Sequence, residues 1–528
     1  MPRNYLDSIM NASDPIYNAI LAGRISEIPS ISNDLLVVEL TPDSFSDLKA
    51  FFIVDAARHL YRRQQFMEAQ TVIERFLKIN LNKHDLFELL NQSPFKGNHQ
   101  AVLGHFHLPK TAEDWAIYAL IQGACCKDYD SSVVNFQQAI ELNLENNDWY
   151  LFTGFQFIHL GDRASAEKCF QKCLEVNPKD HVAWTVMVGV IPRQSDLMIE
   201  YIQRAINLCP DYTFAKMELA FQYFYLNQFD LGWKEYESRL DSYDILGTIY
   251  RLFDENKRWR GESLDGKVIV VFCEQGLGDY IQFVRYVLVL KQRYNVTVVL
   301  QVFPELKELF KNIGDQLFVI DPSQMPEIPQ YDYFASCMSL PFLLDLPLLN
   351  NQYLSTNKKI DLGFSDYFKI GICWSGNPLN ANDGMRSVHL KHFKVLADIP
   401  GIKLFSLQKT QSDYGNIDDE DMDIIDLGIY FEDFNDTAAA VNALDLVISV
   451  ETSVLPLAGA LNTTEVWGLI PFLTDWRWGN FDSTLWFNSM KLFRQNKPHD
   501  WNSVFETIKD VLLEKLKVAN IGVTTQET

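Results

Sequence analysis

Positive charge is scarce in this chain. Its 528 residues carry 46 Lys and Arg against 69 Asp and Glu, a formal net charge of −23. That argues against nonspecific binding to nucleic acid or to an anionic membrane surface. A phosphate ligand stays open, because a few N–H groups and one or two cations bind one locally. No run of about 18 apolar residues occurs, so no transmembrane segment is expected. The opening stretch, MPRNYLDSIMNASDP, has no apolar h-region, so no signal peptide is expected. The eight cysteines (Cys125, Cys126, Cys169, Cys173, Cys209, Cys273, Cys337, Cys373) form no CxxC pair. Neither a zinc site nor a disulfide framework follows. Cys169 and Cys173 sit four apart on a predicted helix; they could ligate a metal, but small core residues are the plainer reading. No metal site is assigned, and the chain is expected to be cytoplasmic and reduced.

What is present is enough apolar matter for several cores. The chain is 47% hydrophobic and 13% aromatic. Its length predicts two or three domains. The first half reads as helices alone. Asn147 to Asp180 gives an aromatic-rich helix, a Gly-Asp turn, an Ala-rich helix and Asn-Pro. That is a helix–turn–helix unit of about 34 residues, the tetratricopeptide period. A second unit closes at Pro210, and a third begins near Thr213 with YFYLNQFDLGWKEYESRL. Upstream, TAEDWAIYALIQGACCKDYDSSVVNFQQAIELN and Ala57 to Asn80 look like degraded copies, with Met1 to Asp47 as a cap. Such units bury their apolar faces only by stacking, which predicts a solenoid with a concave surface able to hold a peptide or protein.

From Lys267 the period changes. KVIVVFC, VTVVLQV and QLFVI read as strands separated by helices, the first of them from Asp279 to Arg293. A second set opens at FKIGICW and continues through GIKLFSLQ, DIIDLG, a helix from Thr437 to Leu444, LDLVISV, a helix from about Val454 and TEVWGLI. Continuous apolar strands alternating with helices predict parallel sheets covered on both faces. Two such sets predict two Rossmann-like halves with ligands at the carboxyl ends of the strands.

Those ends carry the chemistry. EQGLGD (Glu274 to Asp279) follows the first strand; Gly276 and Gly278 allow a tight turn, and the next helix offers free N–H groups. It is not G-x-G-x-x-G, and Asp279 could simply cap the helix. CWSGNP ends another strand with Ser375, Gly376 and Asn377, and Arg386 follows in NDGMRSVHL. SLQK supplies Gln408 and Lys409, and SVETSV supplies Glu451, Thr452 and Ser453 before a helix. Hydroxyls, an amide and cations along one edge suit a phosphorylated, hydroxyl-rich ligand.

Together, KRWRGESLDGKVIVVFCEQGLGDYIQFVRY, KIGICWSGNP with RSVHL, LFSLQK, DTAAAVNALDLVISVETSV with LAGAL, and DWRWG resemble bacterial tetratricopeptide-repeat glycosyltransferases with a heptosyltransferase-like catalytic region of the GT-B superfamily. The resemblance runs from about Phe221 to Gln495. It implies an N-terminal α-solenoid over 1–250 and two Rossmann-like domains over 251–360 and 361–528, the latter binding a nucleotide-sugar donor. It implies metal-independent transfer with no cofactor beyond that donor. Asp279 falls where the family has its catalytic aspartate, and the SVETSV loop falls on a donor-binding segment. Some relatives of this architecture modify flagellin, which makes a surface protein recruited by the repeats the implied acceptor. The chain departs from the family pattern at Glu451, where an Asp is usual, and at Pro456, where a His is usual. NTTEVW after it lacks the usual Gly-x-Pro.

The expected mechanism makes Asp279 the general base toward an acceptor hydroxyl. Arg386, Lys409 and the N–H groups after Glu451 stabilise the departing phosphate. Ser375, Asn377 and Gln408 position the donor, along with the Gln275, Gly276 and Gly278 turn. Trp476 and Trp478 either stack on a base or sugar or pack internally. The alternative is a non-catalytic adaptor whose GT-B half is degenerate, and the Pro456 change is its main support.

Overall fold

A computed structural model describes residues 111–518, except 121, 124–127, 192–195, 242–252, 320–329, 351, 378–382, 410–413, 420 and 480. The expected repeat copy at Ala57–Asn80, the cap at Met1–Asp47 and most of the connection at 241–256 lie outside the described residues. The chain divides into two compact units between Ala215 and Lys216.

In the first unit, helices pair in sequence order. Four of them start where a short polar side chain, Asp128, Asn146, Asp162 or Asp180, replaces a missing backbone partner. The Asp162 carboxylate accepts the Ser165 N–H at 3.0 Å, and that of Asp180 accepts the Ala183 N–H at 2.9 Å. Between the helices Asn147–His159 and Arg163–Val176, Gly161 takes a φ of +77°, the left-handed value expected of a turn glycine. Within this pair Gly154 faces the Phe170 ring so closely that a Cβ would lie 2.3 Å from it. The small residue of one helix therefore seats the large residue of the other. Phe136, Ala139, Trp149 and Phe152 join Ala116 and Ala119 in the core of this unit.

The second unit holds two parallel sheets. The first runs β1 (Val268–Phe272), β2 (Thr297–Val302), β3 (Gln316–Val319) and β4 (Tyr333–Ser336), in the order β3-β2-β1-β4. The second runs β5 (Phe368–Cys373), β6 (Ile402–Ser406), β7 (Ile424–Asp426), β8 (Leu446–Val450), β9 (Glu465–Ile470) and β10 (Met490–Arg494). Its order is β10-β9-β8-β5-β6-β7. Every pairing between these strands is parallel. Strand β1 shows why the runs are unbroken: Ile269 and Val271 enter one core while Val270 and Phe272 enter another on the opposite face. The helix Trp501–Val518 covers the second sheet through Trp501, Phe505, Ile508 and Leu512.

This is a helical repeat region followed by two Rossmann-like halves, the GT-B arrangement expected from the sequence. Two local expectations change. The helix foreseen from Asp279 to Arg293 is two helices, Leu277–Phe283 and Arg285–Arg293. They part where Arg285, 1% exposed, turns its Nε onto the Gln282 carbonyl at 2.7 Å. The division between units falls inside the helix Thr213–Tyr225, so the pair Thr213–Tyr225 and Phe229–Tyr236 shares its core with the sheets. Phe224 and Trp233 there pack on Trp476, with ring centroids 4.2 and 5.6 Å away.

Candidate active site

In each sheet the strand order reverses at one place: between β1 and β4 in the first sheet and between β5 and β8 in the second. Ligands of such folds bind outside the carboxyl ends at that point. EQGLGD leaves β1 there; CWSGNP and SVETSV leave β5 and β8.

The two halves meet at these turns. A Cβ on Gly278 would stand 3.4 Å from Ser453 Cα and 3.6 Å from Pro456 Cγ. The absent side chain lets the first turn of one helix lie against the entry to the helix Val454–Leu461. Pro456 is buried in that contact. Ser453 is the N-cap of this helix and makes no side-chain capping bond.

Asp279 is the third residue of its helix, and the N-cap is Gly276. Its Oδ2 accepts the Gly276 N–H at 3.0 Å. Its Oδ1 accepts from Arg477 Nη2 at 2.5 Å. Arg477 in turn holds both oxygens of Asp475 through Nη1, each at 2.9 Å. Burial pushes the Asp279 carboxyl up, and the Arg477 guanidinium pulls it back; Asp475 and Glu274 add to the upward push.

Glu274 and Gln275, the first residues of the loop, are anchored behind it. The Arg239 guanidinium meets Glu274 at 2.7 Å with both side chains fully buried, and Ser336 donates to the same carboxylate. Gln275 Nε2 donates to the Tyr236 hydroxyl at 2.6 Å.

The second half gathers its residues more tightly. Gln408 Oε1 accepts the Ser375 N–H at 3.2 Å. Gly376 donates its N–H to Ser387 at 3.0 Å, and Ser387 donates to Asp383 at 2.9 Å. A Cβ on Gly376 would lie 2.2 Å from Arg386 Nη2, so the glycine is what lets the guanidinium cross the loop. Arg386 then reaches the Glu451 carbonyl at 3.0 Å while its Nε pairs with Asp383 at 3.2 Å. Thr452 Oγ1 lies 3.6 Å from Cys373 Sγ and accepts the Val454 N–H at 3.3 Å. Lys409 is exposed and donates to the Glu432 carbonyl at 2.9 Å; Asn377 is exposed.

Glu451 is the unusual member. Its Oε1 is buried and has no hydrogen-bond partner. Burial, with Asp475 nearby, pushes its carboxyl up to about 8, against the pull of Arg386 and Arg494. It therefore keeps its proton at neutral pH and can donate a hydrogen bond.

Trp476 and Trp478 are each 5% exposed and serve packing. The residue that sequence reasoning passed over is the one between them. An arginine set among tryptophans in DWRWG is the signal that could have revealed it, since a charge in an aromatic setting needs a partner. Arg239 was missed in the same way.

A tetratricopeptide repeat profile matches residues 157–180. Protein FlbA of Caulobacter vibrioides is 22% identical over 321 residues, covering 53% of this chain and 52% of that protein. The chain thus spans about half the length of the curated relative it matches. Among solved structures, a glycosyl transferase family 9 protein from Veillonella parvula is similar over 49% of this chain and 99% of its own, at 11% identity and a TM-score of 0.34. The crystal structure of MamA is similar over 37% of this chain and 94% of its own, at 13% identity and a TM-score of 0.20. Among the described residues no helix is long and apolar enough to cross a membrane. The chain thus carries a tetratricopeptide repeat match within its helical region, and the two parallel sheets that follow are consistent with a GT-B fold.

Proposed function

We propose that this protein is a glycosyltransferase that moves a sugar from a nucleotide-sugar donor to an acceptor protein recruited by its repeats. The observation that carries this reading is the meeting of the two strand-end turns, which brings the Asp279 turn against the Ser453–Pro456 turn. The donor's diphosphate lies along the second half, where Arg386 and the N–H groups entering the helix Val454–Leu461 face it. Glu451, protonated at neutral pH, donates to a phosphate oxygen in place of the imidazole that Pro456 lacks. Ser375, Gln408 and Thr452 shape the loop under the sugar. An acceptor hydroxyl attacks the anomeric carbon, its proton passes to Asp279, and the bond to the phosphate oxygen breaks with the electron pair leaving on the nucleotide. A surface-appendage protein such as flagellin suits the architecture as acceptor.

The adaptor reading has its own observation: both Asp279 oxygens are already engaged, by Gly276 and Arg477. A thermal-shift screen of nucleotides and nucleotide sugars separates the two. A donor at a hundred times its Kd adds about 2.7 kcal/mol of stability. A clear shift with one nucleotide class, followed by sugar release or transfer, supports the enzyme. No shift across the panel removes it.

A further inference from the structure

Asp279 and Arg477 lie 198 residues apart, one on the turn after β1 and the other beyond β9 in the second half. The guanidinium is fixed from several directions. Nη1 holds Asp475, and the Arg477 backbone N–H donates to the same carboxylate at 2.9 Å. The Trp476 ring lies 4.6 Å beneath. Arg477 has a side chain only 12% exposed, so its direction toward Asp279 is set by packing. Each Asp279 oxygen accepts one hydrogen bond and keeps a second acceptor direction. Engagement therefore orients the carboxylate without exhausting it.

We propose that Arg477, held by Asp475, is the positioning residue for Asp279: it aims the carboxylate and balances its charge, so that the proton acceptor on the first half is completed by a cation from the second. This rests on Asp279 being the base of the proposed transfer. The ionisable groups that act on Asp279 are Arg477, Asp475 and Glu274. Tyr236 and Cys337 also stand near enough to interact with it, and burial pushes both of them up, so they stay neutral beside it.

The two charged neighbours of Asp279, Arg477 and Asp475, make opposite predictions. In the full chain labelled with 13C at aspartate carboxyls, Asp279→Asn identifies the resonance by its loss. Arg477→Gln removes the cation, and the Asp279 midpoint should rise by about one unit, a tenfold change in proton affinity. Asp475→Asn removes a competing carboxylate, and the midpoint should fall. Arg477→Lys restores charge without the planar fork, so the midpoint should return while kcat stays depressed. The acid limb of kcat/KM should move with each midpoint, and donor KM should hold. Should Arg477→Gln not fold, the Asp475→Asn and Arg477→Lys arms decide. An Asp279 midpoint unmoved in Asp475→Asn, or a wild-type kcat in Arg477→Lys, overturns the proposal. So does full transfer by Asp279→Asn. Midpoints that move as expected in a protein that consumes no nucleotide sugar would uphold the pairing and remove the transferase reading instead.

Discussion

At Asp279 two roles share one side chain. It closes the first turn of its helix through the Gly276 N–H, and it is the proposed base. Asp279→Asn separates them, because an amide oxygen still accepts that N–H. Transfer should fall by about 10²–10⁴, the usual worth of a general base. Melting temperature should fall modestly, because the single amide oxygen cannot serve both the Gly276 N–H and Arg477, while nucleotide affinity should stay near wild type; transfer at the wild-type rate would make Asp279 a capping residue only. Glu451 supports a second prediction. Its folded carboxyl is pushed up to about 8 from an ordinary 4.5. Between those values the unfolded chain has lost the proton that the folded chain keeps. The folded state binds more protons there, so stability falls as pH rises through that window. Glu451→Gln cannot ionise. Its stability relative to wild type should climb from about pH 4.5 to about pH 8 and then level off, as read from denaturant midpoints across that range. A flat difference would mean that Glu451 is charged in the folded protein.

Elements show where the sequence was readable. Strands β1, β5 and β8 were legible because a strand buried on both faces keeps a nearly continuous apolar run, which Lys369 in β5 and Ser449 in β8 each break only once. Strands β4 and β10, YFAS and MKLFR, were not picked out: one is four residues long, and the other carries Lys491 exposed at its second position. The strand-end loops were legible as polar groups after apolar runs. Their partners were not, since Arg239 and Glu274 lie 35 residues apart and the break before Arg285 involves one side chain reaching back to the preceding helix. That first pair also ties an element to the site. Arg239 follows the helix Phe229–Tyr236 and holds Glu274, the first residue of the Asp279 loop, with both side chains fully buried. Arg239→Met should leave a buried carboxylate unpaired and cost about 3–5 kcal/mol. Adding Glu274→Gln removes that charge and keeps an acceptor for Ser336. The double variant should recover at least half of the loss in equilibrium unfolding. If the two losses simply add, the pair is not coupled, and the helix does not support the loop through this contact.

For the whole molecule, the repeat pattern and the compact units divide the chain at different places. The pattern continues to Leu240, but the division by packing falls between Ala215 and Lys216. The reason is the aromatic cluster: Phe224, Trp233 and Tyr236 share a core with Phe283, Trp476 and Trp486. The Tyr225 hydroxyl donates to the Thr474 carbonyl at 2.6 Å, and Trp233 Nε1 donates to that of Pro347 at 2.8 Å. A fragment beginning at Asp241 would expose Trp476, strand Glu274 without Arg239 and free Gln275 from Tyr236. A fragment beginning at Thr213 keeps all of these. Residues 213–528 should therefore unfold cooperatively and bind whichever nucleotide stabilises the full chain, with similar affinity. Residues 241–528 should aggregate or lose cooperative unfolding, and should bind none. Under the proposed function, the longer fragment also loses transfer to the acceptor protein while still releasing sugar from the donor, because recruitment resides in the missing repeats. Equal stability of the two fragments would show that the last helix pair is an appendage of the sheets and not part of their core. Loss of nucleotide binding by residues 213–528 would show that the donor site needs the preceding repeats as well.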